Sequence, residues 1–224
     1  MSYYLDFTVL GLDFLRTRLL GEDLIPSQLP LREGLTEKLR TLRTVGIKTV
    51  SDLNTILKKE TSMKTLSKET GIQLDYLKLL ARVLRGYTPK SVMLSDFPKV
   101  DTKVTNTLMG HGIRDSYSLW TAAAHVKTRT KLAKEMALPP TELCTIVCLS
   151  DLCRIQWVSP LFSRLIFDAG YKTVQDVASA HAEDLVVGVS TVNKKENLFK
   201  GKIGARDMGR LVYIASILPH ELEL

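Results

Sequence analysis

Apolar residues recur at helical spacing along almost the whole chain of 224 residues. Positions three and four apart are apolar in one segment after another, and glycine, proline or short polar runs separate the segments. Strand-like patterns are nearly absent, since the only β-like run, Leu185 to Val187, is too short to build a sheet. The pattern therefore predicts an all-α protein.

The first 30 residues form a distinct leader that ends in the breaker-rich run from Gly21 to Pro30. Its apolar residues are Tyr3, Tyr4, Leu5, Phe7, Leu10, Phe14, Leu15, Leu19 and Leu20. Because this is more apolar surface than one side of a short helix normally buries, we expect a helix that pairs with its copy in a homo-oligomer. The alternative is docking of the leader onto the rest of the chain.

After residue 30, one local signature occurs three times. Each copy has a glycine after an apolar-periodic segment and then a bulky residue, as in Gly46-Ile47, Gly112-Ile113 and Gly170-Tyr171. Three residues after the glycine stands a residue able to cap a helix: Thr49, Asp115 or Thr173. Glycine ends a helix in the left-handed conformation without strain, and Thr or Asp accepts hydrogen bonds from the next helix.

A second turn between helices follows each signature, at Gly71-Ile72, at Ala137-Leu138 and, displaced by an insertion, at Ile203-Gly204. Each repeat therefore holds about four short helices. We predict repeats at residues 31–95, 96–153 and 154–224, after the leader at residues 1–30.

The signature is clearest from Val45 to Leu53 and from Ala169 to Val177. It resembles the helix-hairpin-helix superfamily and, more narrowly, a bacterial domain-of-unknown-function group of tandem, degenerate helix-hairpin-helix units. The resemblance covers roughly residues 31–218 and implies an N-terminal helical leader followed by three tandem helix-hairpin-helix-like units. In the DNA-binding members the hairpin resembles Gly-Ile-Gly, whose glycines let backbone N–H groups at a helix N-terminus approach a phosphate.

Most of those hairpin glycines are replaced in this chain. The matching stretches read Lys99-Val100-Asp101, Trp157-Val158-Ser159 and Lys202-Ile203-Gly204, of which the last keeps one glycine. A bulky Trp157 blocks close backbone approach, and Asp101 repels a phosphate. We therefore expect any contact with nucleic acid to be made by Lys and Arg side chains. The alternative function is a protein–protein interaction scaffold whose degenerate hairpins no longer bind phosphate.

The net charge of +7 is concentrated, because residues 32–134 hold 20 Lys and Arg against 9 Asp and Glu. Such an excess is compatible with a polyanionic partner. One candidate cluster consists of Lys127, Arg129, Lys131 and Lys134. The other flanks Gly204 and consists of Lys194, Lys195, Lys200, Lys202, Arg206 and Arg210. For both clusters the alternative is an ordinary solvated surface.

Catalytic motifs are absent from the sequence: it has no phosphate-binding loop, no His-Glu-x-x-His and no nucleophile elbow. The three cysteines, Cys144, Cys148 and Cys153, are expected to be small apolar residues on a buried helix face, with a metal or redox cluster as the alternative. We therefore predict a non-enzymatic binding protein without metal or cofactor. The chain has no apolar run long enough for a transmembrane helix and no signal-peptide features, so we expect a cytoplasmic location.

Overall fold

All regular secondary structure in residues 2–224, which the computed structural model describes, is helical. Within this range the only extended pairings are two isolated bridges, between Gly11 and Thr49 and between Met93 and Asp115. The β-like run from Leu185 to Val187 lies inside the helix Ala182–Glu196. None of the described helices is both long and apolar enough to cross a membrane. The all-α prediction is confirmed.

The chain divides into two units, and the first spans Leu5–Thr88. Its helices are α1 (Leu12–Gly21), a 3-10 helix (Pro26–Arg32), α2 (Leu35–Thr44), α3 (Val50–Leu57), α4 (Glu60–Thr70) and α5 (Leu74–Gly86). Leucines spaced three or four residues apart place one side of each helix in a common core. Leu15, Leu42, Leu53, Leu77 and Leu84 in this core are fully buried.

The second unit consists of Pro89–Leu224 together with residues 2–4. Its helices are a 3-10 helix (Leu94–Asp96), α6 (Thr102–Gly110), α7 (Ser116–Ala123), α8 (Val126–Glu135), α9 (Pro140–Leu152), α10 (Pro160–Asp168), α11 (Val174–Ala178), α12 (Ala182–Glu196) and α13 (Ala205–Ile217). Every residue from Ile146 to Leu152 is buried, since α7, α8 and α10 all pack against α9. Helix α9 is therefore central to this unit.

The three signature glycines all adopt the left-handed conformation, with φ of 89° at Gly46, 86° at Gly112 and 101° at Gly170. In each turn the residue after the glycine donates its N–H to the carbonyl five residues earlier. These bonds are Ile47 to Leu42 at 3.1 Å, Ile113 to Leu108 at 3.0 Å and Tyr171 to Ile166 at 3.2 Å. This is the Schellman arrangement, which satisfies carbonyl groups at the end of a helix. The expected role of the glycines is confirmed.

The predicted capping residues open the helices that follow. Thr49, Asp115 and Thr173 are the N-caps of α3, α7 and α11, and each side chain accepts a hydrogen bond from a backbone N–H three residues later. The residues at those later positions bond back to the cap, so all three turns form complete capping boxes.

The first N–H of each of these helices also has a partner from another segment. Leu10 O accepts from Val50 N at 2.8 Å, and Val92 O accepts from Ser116 N at 2.8 Å. At the third turn the acceptor of Val174 N is the buried carboxylate of Asp151, at 2.7 Å. The leader thus contributes to the α3 turn in the same way that residue 92 contributes to the α7 turn.

Much of the leader lies against the rest of the chain. The buried side chains among its apolar residues are Tyr3, Leu5, Phe7, Leu15 and Leu19, whereas Leu20 is exposed. Its α-helix begins only at Leu12. This burial corresponds to the intramolecular alternative, and the homo-oligomer stays a prediction. The finer division at residues 31–95, 96–153 and 154–224 stays a prediction.

Candidate nucleic-acid interface

Three cations of the first predicted cluster lie on one face of α8. Lys127, Lys131 and Lys134 are all exposed and follow the spacing i, i+4, i+7, which aligns side chains along a helix. The helical rise places their Cα atoms about 6 Å and about 4.5 Å apart along the axis. Lys131 Nζ lies 3.6 Å from the carboxylate of Glu135, itself exposed. We call these three residues the α8 stripe.

The fourth cation of that cluster, Arg129, is buried. Its guanidinium donates hydrogen bonds to the carbonyl oxygens of Ala123 at 3.0 Å, Ala124 at 3.3 Å and Glu223 at 2.7 Å. The side chain thus satisfies carbonyls near the end of α7 and in the C-terminal segment. The expectation that Arg129 contacts a phosphate is corrected accordingly, because its donors are already used inside the protein.

A carboxylate from the C-terminal segment occupies the N-terminus of α8. Glu223 accepts hydrogen bonds from His125 Nδ1 at 2.8 Å and from Val126 N at 3.0 Å. These bonds hold the pKa of Glu223 below its ordinary value. A negative charge is favourable at this end of a helix because the free N–H groups point towards it. Here the anion is supplied by the chain itself.

The second predicted cluster surrounds the loop between α12 and α13. Lys200, Lys202 and Arg206 are exposed, and Lys200 Nζ donates to the Asn197 side chain at 2.7 Å. The Asn193 side chain stabilises this loop, because it donates a hydrogen bond to Phe199 O and accepts one from Phe199 N, both at 2.8 Å. The loop therefore has a defined conformation.

Arg210 of the second cluster and the adjacent Gly204 have other local roles. Gly204 is the N-cap of α13 with φ of −130°, an extended conformation that does not require glycine. The side chain of Arg210 is only 10% exposed and pairs with Asp207 at 3.1 Å. The exposed cations of this cluster, which a ligand could reach, are therefore Lys194, Lys195, Lys200, Lys202 and Arg206.

The two clusters belong to different sets of helices within the second unit. Helix α8 packs against α7 and α9, whereas α12 and α13 pack against each other and against α10 and α11 respectively. The fold therefore presents them as two separate basic surfaces.

Three turns have a left-handed residue that is not glycine. Lys99, Ala137 and Trp157 have φ of 58°, 50° and 73°. Each is followed by an apolar residue and then by the N-cap of α6, α9 or α10. Asp101 is one of these caps, and its carboxylate accepts from Lys103 N at 2.8 Å. That carboxylate therefore occupies the N-terminus of α6.

A third set of aligned cations lies in the first unit, on α5. Lys78, Arg82 and Arg85 are exposed and repeat the i, i+4, i+7 spacing of the α8 stripe. Lys78 Nζ lies 3.8 Å from Glu60. Sequence reasoning counted these residues in the positive excess of residues 32–134 but did not single them out. Their spacing within an amphipathic segment is the signal that could have found them.

Comparison with known proteins gives a family but no function. The family described as "Domain of unknown function (DUF4332)" matches residues 98–216. No curated protein and no solved structure matches the chain. The match starts well after residue 31, where the predicted resemblance begins, and it lies within the second unit. Because it spans more than half of the chain, the chain belongs to the DUF4332 family.

Proposed function

Because the DUF4332 family has no assigned function, we propose a role from the chain's own residues: a non-enzymatic protein that binds nucleic acid without sequence preference. Lys and Arg side chains contact the phosphate backbone. In this proposal helices α2–α5, α6–α9 and α10–α13 are three tandem helix-hairpin-helix-like units. The repeated Schellman turns and capping boxes before α3, α7 and α11 support that organisation.

The observation that carries the proposal is the α8 stripe. Its three ammonium groups stand on one exposed helix face, and a single carboxylate, Glu135, is paired with one of them. Long lysine side chains at successive helical turns can reach successive phosphates, and each neutralised phosphate releases counterions. Contacts of this kind fix position on the backbone without reading bases. The cations Lys200, Lys202 and Arg206 offer a second surface of the same chemistry.

The second candidate function is a protein–protein interaction scaffold, which is favoured by Trp157. Its side chain is 52% exposed although tryptophan is usually buried. It stands at a position where the helix-hairpin-helix hairpin has glycine. Tryptophan is enriched among residues that dominate the energetics of protein interfaces. A scaffold would use this hairpin as a contact surface after the loss of phosphate binding.

Titration of the full chain with a mixed-sequence duplex and a single strand, at about 50 and 200 mM salt, tests the proposal. The test variant is Lys127→Gln, Lys131→Gln and Lys134→Gln combined. The matched control removes three exposed lysines from separate places: Lys48→Gln, Lys68→Gln and Lys90→Gln. Both variants have the same net charge, so a difference between them reports on position.

We expect the wild type to bind both ligands with an affinity that falls steeply with salt. The α8 variant should bind more weakly, with a log–log salt slope that is smaller by roughly 1 for each phosphate that its side chains no longer neutralise. The control should keep most of the affinity. Equal binding by the α8 variant and the wild type would exclude the stripe as the interface. If neither duplex nor single strand binds at the lower salt concentration, the scaffold function is favoured.

A further inference from the structure

Two cysteines lie one turn apart on α9, in different environments. Cys144 is partly exposed, whereas Cys148 is buried with 1% of its surface accessible. The Cys148 thiol donates a hydrogen bond to the sulfur of Cys144. The third cysteine, Cys153, lies beyond the C-terminal end of the same helix and is buried.

Positive side chains from two neighbouring elements face this pair. Arg129 reaches it from α8, and Lys172 reaches it from the connection between α10 and α11. The hydrogen bond from Cys148, followed by these two charges, holds the pKa of Cys144 below its ordinary value although partial burial opposes this. The carboxylate of Asp151 faces Cys148, and that thiol stays protonated because its hydrogen is committed to Cys144 and because it is buried.

A cavity of about 280 Å³ opens beside the two sulfur atoms. Its walls are formed by Thr141, Cys144, Thr145, Cys148, Phe167, Lys172 and Leu224. The cavity combines a reachable sulfur, a cation and apolar walls, and its volume suits part of a small molecule.

From this arrangement we infer that Cys144 is a site of covalent modification by low-molecular-weight disulfides. Cys148 acts as a positioning residue that activates it. A partly exposed sulfur next to a buried thiol donor and two cations is the kind of electropositive environment in which cysteines become nucleophilic. This inference is independent of the proposed binding of nucleic acid.

The reaction is thiol–disulfide exchange. The Cys144 thiolate attacks one sulfur of the small disulfide, a new S–S bond forms to Cys144, and the S–S bond of the reagent breaks. The departing half leaves as a thiolate and takes a proton from water. The protein thiolate supplies the electron pair of the new S–S bond, and the electron pair of the old bond leaves with the departing half. The protein sulfur is oxidised as the departing sulfur is reduced, so no further oxidant is needed.

The adduct is expected to persist because Cys148 is poorly placed to displace it. Cβ atoms one helical turn apart are separated by about 5–6 Å. A disulfide requires Cβ atoms about 3.5–4.5 Å apart. Closing a bond between Cys144 and Cys148 would therefore distort α9 at a point where its inner face is fully buried. Release of the adduct requires a second small thiol.

The test exposes the full chain to oxidised glutathione and locates the adduct by intact mass and peptide mapping. The pH dependence of alkylation by iodoacetamide is measured in parallel. The variants are Cys148→Ala, which removes the donor, Lys172→Gln, which removes a charge without touching α9, and Cys153→Ala as the matched control. Burial raises the pKa of Cys153 to about 12, so this thiol should contribute nothing near neutral pH.

We expect one glutathione per chain, attached to Cys144, and an alkylation midpoint at least one pH unit below the free-thiol value of about 8.5. Cys148→Ala should raise the midpoint and slow alkylation at neutral pH roughly tenfold for each unit of pKa. Lys172→Gln should have a smaller effect in the same direction and keeps the test decisive if Cys148→Ala does not fold. Cys153→Ala should match the wild type.

Three results would overturn the inference. One is a midpoint at the ordinary thiol value in the wild type. Another is an adduct on Cys148 or Cys153 in place of Cys144. The third is an internal disulfide between Cys144 and Cys148, seen as the loss of two hydrogens without added glutathione, because it would show that Cys148 is a partner in the chemistry.

Discussion

Two kinds of turn between helices have a left-handed residue in this protein, and different residue types supply it. In the turns before α3, α7 and α11 the residue is a glycine, with φ between 86° and 101°. In the turns before α6, α9 and α10 it is Lys99, Ala137 or Trp157, with φ between 50° and 73°. A side chain is tolerated in the second group because those φ values fall in or near the small left-handed region open to L-residues. In the first group φ lies outside that region.

The two groups of turns differ in whether the backbone conformation requires glycine. At the glycine turns the backbone conformation requires glycine, so the glycine identifies the turn in the sequence. At the other three turns the left-handed φ of 50–73° is open to residues other than glycine. In each of these three turns an apolar residue and then the N-cap of the next helix follow the left-handed residue, as in Val158-Ser159.

The third glycine turn also differs from the first two in how its helix begins. The partner of Val174 N is the carboxylate of Asp151, which also accepts from Trp120 Nε1 at 2.8 Å and pairs with Arg154. All of these side chains are buried. Arg154 in turn donates to Tyr3 O and Pro219 O. The pair therefore holds both the N-terminal and the C-terminal segment of the second unit in place.

The largest effect is therefore expected for Asp151→Asn. The change leaves the Arg154 guanidinium buried without its counter-charge and places an amide donor against other donors. The expected loss in the free energy of unfolding is roughly 3–5 kcal/mol. Denaturant melts measure it, with Asp168→Asn as the control, because the Arg164–Asp168 pair is 16% and 19% exposed and should contribute less than the fully buried pair.

A double variant shows whether the loss of stability comes from the unpaired charge of Arg154 or from the changed packing of this cluster. Asp151→Asn combined with Arg154→Met removes both charges, and it should be more stable than Asp151→Asn alone. If Asp151→Asn melts like the wild type, the carboxylate does not hold the third turn, and all three glycine turns are energetically alike.

An intermediate effect is expected at the second glycine turn. An added Cβ at Gly112 would meet no atom within 4 Å, so Gly112→Ala tests backbone conformation without a steric clash. At φ of 86° the cost should be about 1–3 kcal/mol. Gly110→Ala, two residues earlier at the end of α6 and equally open, is the matched control. It should be neutral or stabilising by up to about 1 kcal/mol. Equal melting temperatures for the two variants would contradict the left-handed role of Gly112.

The contrast explains which parts of the fold the sequence predicts. The glycine signature with its cap three residues later located the ends of α2, α6 and α10 and the starts of α3, α7 and α11, because each of those positions has one strong local requirement. The packing of the leader was harder to predict. Helical spacing shows that Leu15 and Leu19 are buried, but it does not distinguish burial within the chain from burial in a dimer.

The candidate site shows the same limit. The cations at Lys127, Lys131 and Lys134 were predictable from charge and spacing, since exposure of one helix face follows from its apolar opposite side. The burial of Arg129 was not predictable, because it depends on carbonyl acceptors at the end of α7 and on Glu223, which is 94 residues away in sequence. The cysteine pair was identified as buried helix packing, and the cations that face it come from two other elements.

The smallest effect on stability is expected at the turns whose left-handed residue is not glycine, and Ala137→Gly measures it. Ala137 is exposed with φ of 50°, so the substitution removes one methyl group and relieves a left-handed strain of roughly 1–2 kcal/mol. Glycine gains about 0.5–1 kcal/mol of backbone entropy in the unfolded chain, which offsets most of that relief. The free energy of unfolding should therefore stay within about 1 kcal/mol of the wild type, on the stabilising side.

Ala122→Gly, inside α7, supplies the contrast, because the same chemical change in a helix should cost about 1 kcal/mol. Denaturant melts that give equal losses for both variants would mean that the backbone of this turn is no more strained than that of a helix.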